Sequence, residues 1–212
     1  MPMLLKEVIP LGRTLREYEL MFALTESDKE RKILGVGDGP ASFNAEWTGL
    51  GGSVISIDPV YEFTGEQIKE RFDAVIDDII ETIAKTPERW VWDFQQNPHG
   101  LRMNREAAIQ RFLADYEAGK NEGRYRVGEL PILPFPNQTF DLALCSHFLF
   151  LYAHLLSLDF HLMSLRELCR VATEVRVFPL VDMMGKPTEY LETIQLALGH
   201  EGITTEVLQV QY

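Results

Sequence analysis

"KILGVGDGPASFN", residues 32 to 44, begins as an apolar run and then places Gly35, Gly37 and Gly39 on alternate positions just where a helix should start. An apolar strand, a glycine turn and a helical pattern in that order describe the first βα turn of an open α/β sheet. The next segment extends the pattern. "PASFNAEWTGLG" is the helix, closed by Gly51 and Gly52, and "SVISID" is a second β-branched strand that ends at Asp58. Two strands joined by one helix form a right-handed parallel βαβ unit with both carboxyl ends on one edge.

Upstream, "RTLREYELMFALT" (13–25) spaces Leu15, Tyr18, Met21 and Phe22 as an amphipathic helix, and residues 1–30 are expected to form a helical cover. "SDKERK" is a charged hinge. Downstream, 64–123 reads as a helical insertion of three pieces, "GEQIKERFDAVIDDIIETIAKT", "PERWVWDFQQN" and "NREAAIQRFLADYEAGK", with Pro87 at a helix start and "NPHG" as a break. Then follow a strand "YRVGE", a proline-rich loop "LPILPFPNQ" and the apolar strand "TFDLALCSHFLFLY". A helix "SLRELCRVA", a strand "EVRVFPLV", a helix "PTEYLETIQLALGHEG" and an alternating strand "ITTEVLQVQY" complete the chain. This alternation predicts one α/β domain over 1–212, a Rossmann-like, mostly parallel sheet with helices on both faces and a helical insertion after the second strand.

Composition narrows the function classes. A net charge of −12 without a dense Lys/Arg cluster argues against a nucleic-acid partner. No apolar stretch reaches the roughly 18 residues of a membrane span, and no signal-peptide pattern opens the chain. Cys145 and Cys169 lie in apolar surroundings and match no metal spacing, which fits a reducing cytoplasm. The expected partner is a small molecule, and the expected assembly a monomer or homodimer.

In such a sheet, ligands bind at the carboxyl ends of the strands where strand order reverses. Glycines there bring the main chain close to a ligand, and the following helix offers free N–H groups to an anion. Asp58 ends the second strand about twenty residues after the glycines, where a carboxylate accepts both hydroxyls of a ribose. A tight turn with a helix-capping aspartate is the plainer alternative. The dinucleotide fingerprint G-x-G-x-x-G/A fails from either glycine: it ends on Ser42 from Gly37 and on Pro40 from Gly35. A nucleotide-linked oxidoreductase is therefore the weaker alternative.

The chain resembles the class I S-adenosylmethionine-dependent methyltransferases. "ILGVGDGPASF" looks like their first motif and "ISIDP" like their second. "GELPILPFPNQTFDLALCSHFLFLY" resembles their third-strand loop and fourth strand, and "LRELCRV" the helix before the fifth strand. The resemblance implies S-adenosyl-L-methionine as cofactor. It implies that main chain at Gly37, Asp38 and Gly39 cradles the methionine part and that Asp58 holds the ribose, with Pro59 and Val60 beside the adenine. Glu129 would accept from the adenine amino group, the Leu130 N–H would meet a ring nitrogen, and Ser146 would lie near the sulfonium. Three departures stand out. Gly35 replaces a commonly acidic residue, for which Asp38 is the available substitute, Ala41 replaces a glycine, and the final antiparallel strand of the family is missing. The chain is thus truncated before it, or something else completes that sheet edge.

His147, after Ser146, is the candidate catalytic base, with a hydrogen-bonded structural histidine as the alternative. Trp90 and Phe94, on one expected helical face, form an acceptor wall or packing core. Arg13 meets the cofactor carboxylate or remains solvated. The expected activity is methyl transfer to a small molecule, and the alternative on the same fold is a non-catalytic binder of S-adenosylmethionine or S-adenosylhomocysteine.

Overall fold

The structure is a computed structural model that describes residues 11–212. Residues 1–10, the start of the expected N-terminal cover, lie outside the described residues. Five strands, β1 (Lys32–Val36), β2 (Ser53–Ile57), β3 (Tyr125–Arg126), β4 (Phe140–Ser146) and β5 (Ala172–Phe178), form one sheet in the order β3-β2-β1-β4-β5. All four pairings are parallel. Strand order reverses between β1 and β4, so the ligand crevice of this Rossmann-like sheet opens beyond Val36 and Ser146.

The central strands are apolar on both faces because both are covered. Ile33, Leu142 and Leu144 pack with Tyr18, Phe43 and Trp47, from helices α1 (Leu15–Phe22) and α2 (Phe43–Gly49). Leu34, Ala143 and Cys145 face the opposite way, onto Leu165 and Leu168 of α5 (Leu158–Val171) and Ile194 of α6 (Tyr190–His200). Local chemistry sets the helix ends. Thr14 and Glu17 form a capping box at α1. After α2, Gly51 takes a φ of 87°, and the Gly51 and Gly52 N–H groups donate to Thr48 and Trp47 at 2.9 and 3.0 Å, as in a Schellman closure. In the insertion, α3 (Gly65–Ala84) lays Ile68, Phe72 and Ile76 against Ile109, Phe112 and Tyr116 of α4 (Pro98–Asn121).

Several expectations need correction. "PERWVWDFQQN" is no helix: a three-residue 3-10 turn, Pro87–Arg89, gives way to open chain, and the Trp92 indole donates to the Pro87 carbonyl at 2.7 Å. Trp90 and Phe94 therefore share no helical face. "NPHG" does not break a helix but starts one, with Asn97 as cap and Pro98 in the first turn, where its missing N–H costs nothing. "YRVGE" shortens to two paired residues, and the run through "SHFLFLY" stops being strand at Ser146 because His147 turns to a φ of 51°. "ITTEVLQVQY" makes no strand, so the sheet ends at β5 and contains no antiparallel strand among the described residues.

The departure at Gly35 has a packing cause. A Cβ there would lie 1.9 Å from Asp38 Oδ2, so the missing side chain makes room for the Asp38 carboxylate. Gly35→Ala should cost about 1–3 kcal/mol through overpacking. Gly49→Ala, on the exposed end of α2 with open space around it, should be neutral or gain about 0.5–1 kcal/mol of helix propensity. Urea denaturation of both variants checks this, and equal midpoints would refute the crowding.

Candidate functional site

Asp58, directly after β2, is pinned on both oxygens. Oδ2 accepts from the Gly39 N–H and Oδ1 from the Val60 N–H, each at 2.8 Å. Each oxygen keeps a second lone pair, and two neighbouring acceptors held in fixed directions suit a vicinal diol. Burial pushes the Asp58 carboxyl up, the two N–H bonds oppose it, and the charge of Glu129 adds to the rise. Glu129 and Pro59 are exposed and Val60 is half-buried, so this end of the crevice is open to solvent. Leu130 buries its side chain in the core below.

The glycine turn is more occupied than the sequence implies. Gly37 and Gly39 take φ of 70° and 55°, as a close main-chain approach requires. Phe148 lies against Gly37, where an added Cβ would meet its Cβ at 3.2 Å, and the Tyr61 hydroxyl donates to the Gly39 carbonyl at 2.8 Å. Asp38 does not face the crevice. Its carboxylate is buried and accepts from the Tyr18 hydroxyl at 2.7 Å and the Ser56 hydroxyl at 2.6 Å. The expected anion slot at the start of α2 is also filled. The Ser42 N–H donates to the Arg13 carbonyl at 3.0 Å, Pro40 has no N–H, and Gly12 crosses so closely that a Cβ there would sit 2.0 Å from the Pro40 oxygen.

Across the switch point, Ser146 Oγ and His147 Nδ1 lie 3.0 Å apart, and the His147 N–H donates to the Phe178 carbonyl at 2.6 Å. A histidine in the left-handed region is uncommon and strained, a state that clusters at functional sites. Burial, followed by the charges of Arg13 and Arg105, holds the imidazole well below its ordinary value, so it is neutral at pH 7. The ring lines a cavity of about 560 Å³ built from α3, the 90–95 segment, α4 and the ends of β4 and β5. Trp90, Trp92 and Phe94 reach its wall, although not from a helix.

Beneath this cavity lies a network that the sequence reading missed. The fully buried Glu17 carboxylate accepts from Arg105, from the Gln95 amide at 2.8 Å and from the Tyr212 hydroxyl at 2.7 Å. Burial alone would raise Glu17, but the charge and hydrogen bonds of Arg105 outweigh it and bring the carboxyl down to about 2. Tyr212, expected on a strand, instead packs its ring near Phe94, His147 and Phe178. Only Glu17 carried a signal, as the residue three positions after Thr14 in the "TLRE" capping box.

Asp38 gives a pH test. Burial pushes its carboxyl up to about 6, against the Tyr18 and Ser56 hydrogen bonds. The folded protein therefore holds a proton that the unfolded chain releases near pH 4, and stability falls as pH rises through that window. The stability of wild type relative to Asp38→Asn should drop by about 1–3 kcal/mol between pH 4 and pH 7. A difference independent of pH would contradict the buried carboxyl.

No family model matches the chain, and no solved structure does. The curated protein described as "Uncharacterized protein MJ0045", from Methanocaldococcus jannaschii, is 31% identical over 191 residues, 90% of this chain and 86% of that protein. With that identity sustained over nearly the whole of both sequences, the chain belongs to the same family as this archaeal protein.

Proposed function

We propose that the protein is an S-adenosylmethionine-dependent methyltransferase acting on a small molecule. The observation that supports the reading is Asp58, whose two oxygens accept from the Gly39 and Val60 N–H groups and each keep a lone pair for a further donor. The surrounding chemistry fits the same ligand. Asp58 and Glu129 place negative charge at the open end of the crevice, which favours hydroxyl and amino donors. Asp58 would hold the ribose, Pro59 and Val60 would flank the adenine, Glu129 and the Leu130 main chain would meet its polar edge, and Gly37 and Ser146 would border the methionine part. Asp38 is given no direct contact, since Tyr18 and Ser56 enclose it.

When bound, the cofactor supplies an electrophilic methyl group on a sulfonium. The chain's own contribution is position and exclusion of water, with the cavity beside His147 receiving the acceptor. With Nδ1 beside Ser146, His147 Nε2 is the atom left to take the acceptor's proton. A depressed imidazole is a weak base, which suits an acceptor whose own proton is fairly acidic. Gly35, where the resembled family commonly has an acid, favours the second reading of a cofactor binder without transfer.

Calorimetry with S-adenosylhomocysteine tests the reading. Asp58→Ala should weaken binding by about 1–3 kcal/mol, the cost of losing a charged acceptor. Absent binding to wild type, or equal affinity in the variant, would overturn it. On an acceptor found by a labelled-methyl screen, His147→Asn, which tolerates the left-handed backbone, should lower kcat by about 10²–10⁴-fold. An unchanged rate would leave His147 structural.

A further inference from the structure

The cavity beside His147 carries an imbalance of charge that a ligand would resolve. Two arginines reach it, and their partners differ. Arg105 is matched: its guanidinium is spent on Glu17, with another bond to the Gly12 carbonyl at 2.8 Å. Arg13 is not. One terminal nitrogen donates to the Leu11 carbonyl at 2.6 Å, Nε is buried without a hydrogen-bond partner, and Arg13 forms no ion pair among the described residues. Asp182, the acid on the cavity wall, is turned to the Met184 and Lys186 N–H groups at 2.8 and 3.0 Å. Glu17 attracts Arg13 through space, but its carboxylate is hydrogen-bonded to Arg105, Gln95 and Tyr212 and makes no ion pair with Arg13. A half-buried guanidinium with unused terminal donors is built to bind carboxylate.

The remainder of the wall is mainly apolar. Ile79 and Ile83 line it from α3, Phe178 and Met183 from the β5 side, and Trp90 and Val91 stand at 45% and 70% exposure beside it. A volume of about 560 Å³ lies in the range of small-molecule sites, in which a few polar groups orient an apolar body.

We infer that this cavity binds an organic anion, an apolar or aromatic carboxylate whose charged end sits on Arg13. Its assignment as the methyl acceptor rests on the methyltransferase reading, but its binding does not. An anion at this point pairs with the terminal nitrogens of Arg13 and lies among the groups that face His147. It also offsets part of the positive charge that Arg13 and Arg105 direct at that ring.

Calorimetry with 1-naphthylacetate and its neutral counterpart 1-naphthylacetamide is the test. Wild type should prefer the acid by about ten- to a hundred-fold, the value of a charged hydrogen-bond pair. Arg13→Gln should reduce that preference to within about twofold, while amide binding and the S-adenosylhomocysteine affinity hold. Equal binding of acid and amide by wild type, failure of both to bind, or a preference that survives in Arg13→Gln would each overturn the inference. So would loss of S-adenosylhomocysteine affinity in the variant with the naphthylacetate preference intact, since Arg13 would then serve the cofactor carboxylate. A wild type that selects naphthylacetate but ignores S-adenosylhomocysteine would refute the methyltransferase reading and leave this site standing.

Discussion

The buried pair of Glu17 and Arg105 is the constraint around which the ligand edge is arranged. Glu17 lies on the first helix, Arg105 on the long insertion helix, Gln95 in the segment before it and Tyr212 far along the chain, and all converge on one carboxylate. Breaking such a pair leaves a buried charge without compensation, typically at a cost of several kcal/mol, so the four segments are tied to one geometry. That geometry defines the cavity floor and leaves Arg13, four residues before Glu17, as the cation with unspent hydrogen-bonding capacity.

The first helix works on two sides. Glu17 serves the cavity, while Tyr18 turns inward to Asp38 and stacks on Phe43 at 4.2 Å between ring centres. Asp38 in turn reaches Ser56 on the second strand, and Asn44 donates to the same serine hydroxyl at 3.1 Å. The glycine turn is thus fixed from behind by a polar chain of two hydroxyls, one carboxyl and one amide, and from in front by Asp58 on the Gly39 N–H. A main chain held on both sides is pre-organised, and a ligand meeting it would have little ordering entropy to overcome.

Much of this was legible in the sequence where local chemistry decides the outcome. The glycine turn, the strand running up to Asp58 and the α2 closure at Gly51 are short-range patterns, and each appears where expected. Long-range choices were hidden. Residues 203–212 alternate like a strand, yet strand propensity depends on an available partner edge, and here Tyr212 is drawn to Glu17 instead. Asp38 looked like a crevice residue, because nothing in "GVGDG" says that the room left by Gly35 is filled from within. Trp90 and Phe94 sit at helical spacing, but the helix they imply stops after one short turn at Pro87.

The central claim is that Asp58 and the glycine turn receive an adenosyl ligand whose reactive end points to Ser146 and His147. A crystal structure of the protein grown with S-adenosylhomocysteine tests this most directly. The account predicts the two ribose hydroxyls on the two Asp58 oxygens, the adenine between Val60 and Glu129, and the sulfur facing the cavity beside His147. Nucleoside density anywhere else, or a ribose that leaves both Asp58 oxygens untouched, would contradict it.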